Sequence, residues 1–187
     1  MFAKLSRDLN AIMERDPAAS SKLAAIVLYP SFQVMLAYRL ANPLWRGGFK
    51  FTSRFIMQFA RMVTNIEIHP GATIGCGFFV DHGAGVVIGE TSVIGRDVTL
   101  YQGVTLGGVL PAVDASAQRS VKRHPTIGDN VIIGSGAQVL GNITVNACAR
   151  VGGNSVVTKD VPEGATVVGV PARQVAAKAG ADKADDR

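Results

Sequence analysis

Aliphatic side chains recur every six residues through most of the chain after residue 65. The period begins at Ile68, Ile74 and Val80. A second run holds one phase over six consecutive positions: Ile127, Ile133, Val139, Val145, Val151 and Val157. Neither the 3.6-residue period of a helix nor the alternation of a strand produces this spacing. A fixed six-residue repeat with glycines near the turns predicts a parallel β-helix.

The repeat is shifted once and interrupted once. After Val86 its phase moves by two residues and resumes at Ile88, and a non-repetitive insert then covers 107–124. About thirteen hexapeptides, three to a coil, predict roughly four coils stacked at the spacing of β-strands. The alternative is an ordinary β-sandwich of short strands, but hairpins give no reason to keep one phase over six ladder positions.

Residues 1–64 lack the six-residue step and carry helix signals instead. The predicted helices are Met1–Arg15, a segment capped by Ser20 or Ser21 and reaching Tyr29, a third from Ser31 to about Arg46, and Lys50–Thr64. We expect their apolar faces to cover the first coil, which otherwise leaves an open sheet edge.

Three segments follow from these patterns. They are an N-terminal helical segment (1–64), a β-helix with the inserted loop (65–175) and a tail (176–187). The tail has no large apolar residue and is predicted to be disordered.

Composition fits this picture and excludes some functions. Aromatic residues make up 6% of the chain and hydrophobic residues 48%, which suits a thin interior of aliphatic side chains. The net charge is +5, but only Arg119, Lys122 and Arg123 cluster, so no nucleic-acid surface is predicted. Two cysteines without CxxC spacing predict reduced thiols in the cytoplasm. The apolar run Leu23–Tyr29 is too short to cross a membrane.

His82 is the first candidate for chemistry. It follows Asp81 at the end of a ladder strand and precedes Gly83-Ala84-Gly85, so its imidazole can stand over an open corner. Histidine exchanges protons near neutral pH. Glu67 falls near the neighbouring coil position, where a carboxylate could orient the ring. The alternative is a polar corner residue with a stacking role.

The other two histidines have different settings. His69, followed by Pro70, is predicted to be hydrogen-bonded at the turn into the first coil. His124 closes the insert directly after Lys122-Arg123, a group suited to bind a carboxylate, although a solvated loop explains these residues equally well. Spacings of 13 and 42 residues between histidines make a zinc site between subunits the weaker hypothesis.

Six further stretches follow one another along the chain: RDPA at 15–18, EIHPGATIG, VDHGAGVVIGET, TLGG, RHPTIGDNVIIGSGAQVLGNI and GVPAR. Together they resemble one family, the serine O-acetyltransferases of the hexapeptide-repeat acyltransferase superfamily. The resemblance covers about residues 5–175. It implies a left-handed β-helix, opposite to the usual right-handed crossover, and a homotrimer.

The resemblance also implies roles for individual residues. His82 matches the general base and Glu67 the carboxylate that orients it, which is commonly aspartate in the family. Matching the residues that hold the amino acid are Asp16, Asp81, Arg123 and His124. Matching the backbone that meets the acyl-CoA arm are Gly108, Ser135 and Gly153.

The implied reaction transfers acetyl from acetyl-CoA to the hydroxyl of L-serine, the first step of cysteine biosynthesis, with no metal and no permanently bound cofactor. Inhibition by L-cysteine in the same pocket is expected. The helical segment is shorter than in family members that form hexamers, and the chain ends Asp185-Asp186-Arg187 where partners of cysteine synthase end in isoleucine, so that complex is not predicted. Two alternatives stay open: acyl transfer to a sugar hydroxyl, and a non-catalytic trimeric binding module.

Overall fold

The computed structural model describes residues 2–109, 118 and 121–175. The predicted disordered tail and most of the insert lie outside these residues. Four helices open the chain: α1 (Phe2–Arg15), α2 (Lys22–Leu28), α3 (Pro30–Arg46) and α4 (Lys50–Thr64). The four predicted helical segments are therefore confirmed.

The helix boundaries have local causes. The hydroxyl of Ser21 accepts a hydrogen bond from the backbone N–H of Ala24 at 3.1 Å and caps α2. Pro30 occupies the first turn of α3, where its missing N–H costs nothing. Asn65 ends α4 in the left-handed conformation. No single described helix is long and apolar enough to span a bilayer; α2 and α3 together pass on length and composition, but are bent by 74°.

Short strands make up the rest of the described chain. They are β1 (Glu67–Ile68), β2 (Thr73–Ile74), β3 (Phe79–Val80), β4 (Val87–Ile88), β5 (Val93–Ile94), β6 (Thr99–Leu100), β7 (Thr105–Gly107), β8 (Thr126–Ile127), β9 (Ile132–Ile133), β10 (Gln138–Leu140), β11 (Thr144–Val145), β12 (Arg150–Val151), β13 (Val156–Val157), β14 (Thr166–Val168) and β15 (Arg173–Val175).

Successive strands belong to three different parallel sheets. The first sheet has the order β1-β4-β7-β10-β13, the second β2-β5-β8-β11, and the third β3-β6-β9-β12-β14 with β15 added antiparallel. Each coil of the chain thus contributes one strand to each face of a three-sided prism. This is the left-handed parallel β-helix that was predicted.

The six-residue ladder fills the interior. In the first sheet the side chains stacked in register are Ile68, Ile88, Leu106, Val139 and Val157, each at most 2% exposed. The estimate of four coils is wrong, because the first sheet holds five strands. The period breaks after Val157, and Val161 and Val167 fill the fifth coil in a new phase.

The helices cover the first coil, as predicted. Tyr38 of α3 donates its hydroxyl hydrogen to the carbonyl of Ala72 at 2.7 Å. Beside it, the guanidinium of Arg39 donates to the carbonyl of Ile74 and forms a buried ion pair with Asp8 of α1 at 3.1 Å. These bonds use backbone groups that an uncovered sheet edge would leave to solvent.

Candidate active site

The corner from Asp81 to Gly85 joins the third sheet to the first and carries His82. Ile88 follows Val80 on the ladder by eight positions instead of six, so this corner holds two residues more than the repeat requires. His82 adopts a left-handed φ of 60°, and its side chain is 76% exposed. The imidazole therefore projects from the prism, free to meet a substrate.

Gly83 ties this corner to the start of β1. A Cβ at Gly83 would lie 2.4 Å from the Cδ1 atom of Ile66, and the φ of 77° at this position strains any larger residue. The N–H of Gly85 also donates to the carbonyl of Asn65 at 2.9 Å. These contacts bring the backbone next to His82 against the backbone next to Glu67.

The side chains of these two residues have other partners. The carboxylate of Glu67 forms an ion pair with Arg61 of α4 at 3.3 Å, with both side chains about half exposed. The carboxylate within ion-pair distance of His82 is that of Asp81, 3.8 Å from Nε2. The orientation of His82 by Glu67 stays a prediction.

Asp16 reaches the same corner from the turn after α1. One carboxylate oxygen accepts the N–H of Ala18 at 2.8 Å, and the other accepts the hydroxyl of Tyr29 at 2.6 Å. The Tyr29 bond is the main cause that lowers the pKa of Asp16, and the charge of His82 adds to it. The same bond raises the pKa of Tyr29, with a smaller contribution from Asp81.

These contacts gather Asp16, Tyr29, Asp81 and His82 into one acidic cluster around a histidine, which we call the His82 corner. It suits a substrate with an ammonium group and a hydroxyl. Sequence reasoning missed Tyr29, whose only local signal is its place before Pro30 at the start of α3.

Arg123 and His124 lie at a different corner, between the first sheet and the second. His124 is 8% exposed, and its Nδ1 atom accepts the N–H of Thr91 at 3.1 Å. The guanidinium of Arg123 pairs with Glu90 at 3.2 Å and donates to the carbonyl of Gln118 at 2.7 Å. We call these four residues, Glu90, Thr91, Arg123 and His124, the His124 corner. The prediction overlooked Glu90 and Thr91, which carry no distinctive spacing.

The His124 ring packs directly on the backbone of Gly89. A Cβ at this position would lie 2.1 Å from the ring atoms Cδ2 and Nε2. Only glycine therefore permits the buried ring position. Burial is also the main cause that lowers the pKa of His124, followed by the charge of Arg123.

The two corners occupy different edges of the prism. One chain consequently separates His82, Asp81 and Asp16 from Arg123 and His124, although the resemblance assigned all of them to one substrate.

The residues predicted to meet acyl-CoA fall near both corners. Gly108 directly follows β7 at the start of the insert. Ser135 and Gly153 stack one coil apart, since a Cβ at Gly153 would lie 3.3 Å from the Ser135 carbonyl oxygen. Along the same edge of the prism, the N–H of Gly136 donates to the carbonyl of Gln102. The N–H of Gly103 donates to the carbonyl of Ala84, in the His82 corner. A continuous glycine-lined edge therefore leads from Gly153 to His82.

His69 has the structural role predicted for it. Its Nδ1 atom accepts the N–H of Gly71 at 3.1 Å, and the ring meets Trp45 edge to face at 4.8 Å. Burial is the main cause that lowers the pKa of His69 to about 4. Within residues 2–109, 118 and 121–175, no three His, Cys, Asp or Glu side chains group as metal ligands.

Stacked hexapeptide coils in a left-handed β-helix, with an exposed histidine at a corner, define a hexapeptide-repeat transferase. The family model described as bacterial transferase hexapeptide (six repeats) matches residues 124–159.

Proteins of similar sequence show which hexapeptide-repeat transferases this chain resembles. A serine acetyltransferase of Helicobacter pylori J99 is 49% identical over 171 residues, covering 91% of this chain and 96% of the relative. One from Synechococcus elongatus is 46% identical over 175 residues, covering 94% and 69%. The chain therefore belongs to the serine acetyltransferase family and is an acyltransferase.

Solved structures agree with this assignment. Soybean serine acetyltransferase complexed with serine superposes with a TM-score of 0.86 at 42% identity, covering 92% of this chain and 68% of that one. The enzyme of Brucella abortus in complex with coenzyme A gives 0.85 at 38% identity, covering 93% and 67%. A serine acetyltransferase complexed with cysteine gives 0.87 at 40%, covering 93% and 69%.

Proposed function

We propose that this chain transfers the acetyl group of acetyl-CoA to the hydroxyl of L-serine, giving O-acetyl-L-serine and CoA. The observation that carries the proposal is the His82 corner, where an exposed imidazole stands beside the carboxylates of Asp16 and Asp81. Those charges suit the ammonium group of an amino acid better than a neutral sugar. The soybean relative complexed with serine supports the same acceptor.

His82 is the general base of the proposed mechanism. A serine hydroxyl is too weak an acid to attack a thioester unaided, so a base must remove its proton as it attacks the acetyl carbonyl. The new C–O bond forms, and the carbonyl oxygen becomes an oxyanion that backbone N–H groups, including that of Gly108, stabilise. The C–S bond then breaks, and His82 returns the proton to the CoA thiolate. Glu67 stabilises the charged imidazole of the intermediate state.

Binding of the serine carboxylate falls to Arg123 and His124. Because these residues occupy another edge of the prism, a complete serine site needs the His82 corner of one copy and the His124 corner of the next. This separation supports a homotrimer with three shared sites. Coexpression of a His82→Asn chain with a His124→Asn chain should then restore activity, since mixed trimers contain some sites with both histidines intact.

The acetyl-CoA arm lies along the edge of Ser135 and Gly153 in this proposal. That edge ends at the His82 corner, so the thioester meets the activated hydroxyl there. The related enzyme in complex with coenzyme A supports this co-substrate.

The relative in complex with cysteine supports inhibition of this chain by L-cysteine, the product of the pathway that O-acetylserine feeds. Cysteine differs from serine by one atom and fits the same charges. The two free thiols of the described chain, Cys76 and Cys148, suit the reducing cytoplasm in which we place the enzyme.

The test measures CoA release from acetyl-CoA with L-serine under metal-free conditions. The variant for this test is His82→Asn, because asparagine tolerates the positive φ at this position and should leave the corner intact. We expect at least about a hundredfold loss of serine-dependent release. Cys148→Asn is the matched control, at an exposed corner with φ of 59°, and should keep full activity. Release with sugars but not with serine would overturn the acceptor, and full activity of His82→Asn would overturn the base.

A further inference from the structure

The hydroxyl of Thr91 contacts three polar atoms at the His124 corner, and the proposed mechanism gives this residue no role. Its Oγ1 atom lies 3.0 Å from the backbone nitrogen of Arg123, 3.1 Å from that of His124 and 2.8 Å from the His124 Nδ1 atom. Thr91 and His124 are 33 residues apart in the chain. One hydroxyl thus joins the backbone and the ring of the two residues proposed to bind the serine carboxylate.

The hydrogen atoms of this group can be assigned by counting. A threonine hydroxyl has one hydrogen and accepts two hydrogen bonds. The N–H groups of Arg123 and His124 can only donate, so they use the acceptor positions of Oγ1. The hydroxyl hydrogen is then left for Nδ1 of His124, which also accepts the N–H of Thr91 at 3.1 Å.

Because Nδ1 accepts two hydrogen bonds, it carries no proton, and the ring proton of His124 sits on Nε2. Ser92 Oγ is the one fully buried side-chain N or O atom without a partner among the described residues. Nε2 of His124 packs beside Gly89 and forms no hydrogen bond within the described residues. The ring therefore presents a free N–H donor.

The surroundings of His124 favour the same neutral form. Burial, Arg123 and Lys122 all lower its pKa, and only Glu90 opposes them. Glu90 is itself paired with Arg123. His69, the other histidine that interacts electrostatically with His124, has a pKa near 4 and carries no charge at neutral pH.

We propose that Thr91 is the positioning residue of the serine carboxylate site, holding His124 as a neutral Nε2–H donor beside Arg123. The carboxylate then meets one permanent charge, from the guanidinium, and one neutral donor. This inference rests on the proposed function, since it takes serine as the ligand.

Three variants test the role of the hydroxyl in steady-state kinetics. Thr91→Val keeps the shape and removes the hydroxyl, and it should raise the KM for serine about tenfold while kcat changes less. Thr91→Ser keeps the hydroxyl and should stay within about twofold of wild type. Thr144→Val, on β11 of the second sheet, is the matched control for a threonine-to-valine change and should behave as wild type. An unchanged KM in Thr91→Val, or an equal loss in Thr91→Ser, overturns the proposal.

A second pair of variants tests which ring position of His124 supplies the donor. The amide nitrogen of glutamine takes the place of Nε2, whereas that of asparagine takes the place of Nδ1. His124→Gln should therefore keep more serine affinity than His124→Asn. The reverse order contradicts the proposal.

Nitrogen-15 NMR of labelled histidine gives a readout that does not depend on activity. The His124 signals, assigned from their loss in His124→Gln, should show a proton on Nε2 alone at neutral pH in wild type. Thr91→Val keeps the backbone N–H that donates to Nδ1 but loses the hydroxyl, so a form protonated on Nδ1 should become detectable beside the Nε2 form. A doubly protonated ring in wild type overturns the inference. If wild type releases no CoA with serine, the proposed function fails, while this spectrum still decides the state of His124.

Discussion

The carboxylate of Glu67 lies 3.3 Å from the guanidinium of Arg61, while the imidazole of His82 lies 3.8 Å from Asp81. The side chain of Glu67 is thus paired with a cation on α4. The backbone beside Glu67 packs against the His82 corner. The pair is half exposed and therefore contributes little to stability.

Glu67→Gln should lower kcat by about tenfold to a hundredfold with little change in the KM for serine. The neutral amide cannot stabilise the imidazolium that forms when His82 takes the proton, whereas substrate binding does not use Glu67. Initial-rate kinetics at saturating acetyl-CoA measure both constants. Glu163→Gln changes an exposed glutamate of another corner and serves as the control. Equal kcat values for wild type and Glu67→Gln would remove Glu67 from the mechanism.

Tyr29→Phe should weaken serine binding, and more so in acid. The Tyr29 hydroxyl is the main cause that lowers the pKa of Asp16, so its removal raises that pKa and protonates the carboxylate at a higher pH. We expect the KM for serine to rise about threefold at neutral pH, as one hydrogen bond is lost, and further as the pH falls. A profile of kcat/KM against pH tests this. An acid limb at the wild-type position would contradict the link between Tyr29 and Asp16.

Arg39→Met should cost about 3–5 kcal/mol of the free energy of unfolding. Asp8 and Arg39 are at most 5% exposed at their side chains, and removal of the arginine leaves a buried carboxylate without a partner. Denaturation in urea measures the loss. Arg96→Met breaks the exposed pair with Asp129 instead and should cost less than about 1 kcal/mol. Equal costs in the two variants would show that the buried pair does not anchor α1 and α3 to the first coil.

The buried carboxylate of Asp8 also makes the free energy of unfolding depend on pH. Burial raises the pKa of Asp8 above its ordinary value of 3.8, despite Arg39 and the backbone N–H groups of Gly77 and Phe78. The folded state then binds more protons than the unfolded state between the two pKa values, so stability falls as the pH rises through that window. Asp8→Asn should abolish this slope.

His69 produces a slope of the opposite sign. Its pKa is about 4 in the folded protein against 6.5 for an ordinary histidine, so the unfolded state binds more protons between these values. Stability should therefore fall by up to about 3 kcal/mol as the pH drops from 6.5 to 4. Urea denaturation followed by the fluorescence of Trp45, which packs on His69, measures it. His69→Gln should lose this part of the slope, whereas His82→Asn, at an exposed position, should keep it.

Much of the fold could be predicted because the β-helix repeats one template. Each coil places an aliphatic residue inside at six-residue spacing, so the ladder read from the sequence is the ladder in the interior. The prediction failed at the fifth coil, where the phase changes after Val157 and too few repeats follow to reveal it. The cap of α2 at Ser21 was readable from the sequence, whereas α3 begins at Pro30, one residue before the predicted start at Ser31.

The candidate site was only partly predictable. His82 stands out locally, because the two additional residues of its corner and the adjacent glycines are visible in the chain. Tyr29, Arg61 and Thr91 do not stand out, since each acts on a residue of another element. The resemblance named the residues of one serine site but did not indicate that they lie on two edges of one prism.

Local spacing by itself determined the repeat, the positions of the strands and the exposed histidine, because each of these depends on residues within one hexapeptide or one corner. The resemblance supplied the handedness of the coil. Only the tertiary structure decided which side chains meet across coils and helices. Thr91 reaches His124 past the whole insert, and Asp8 reaches Arg39 across two helices. Such contacts depend on how coils stack and how helices pack on them, and no short-range pattern in the chain encodes that geometry.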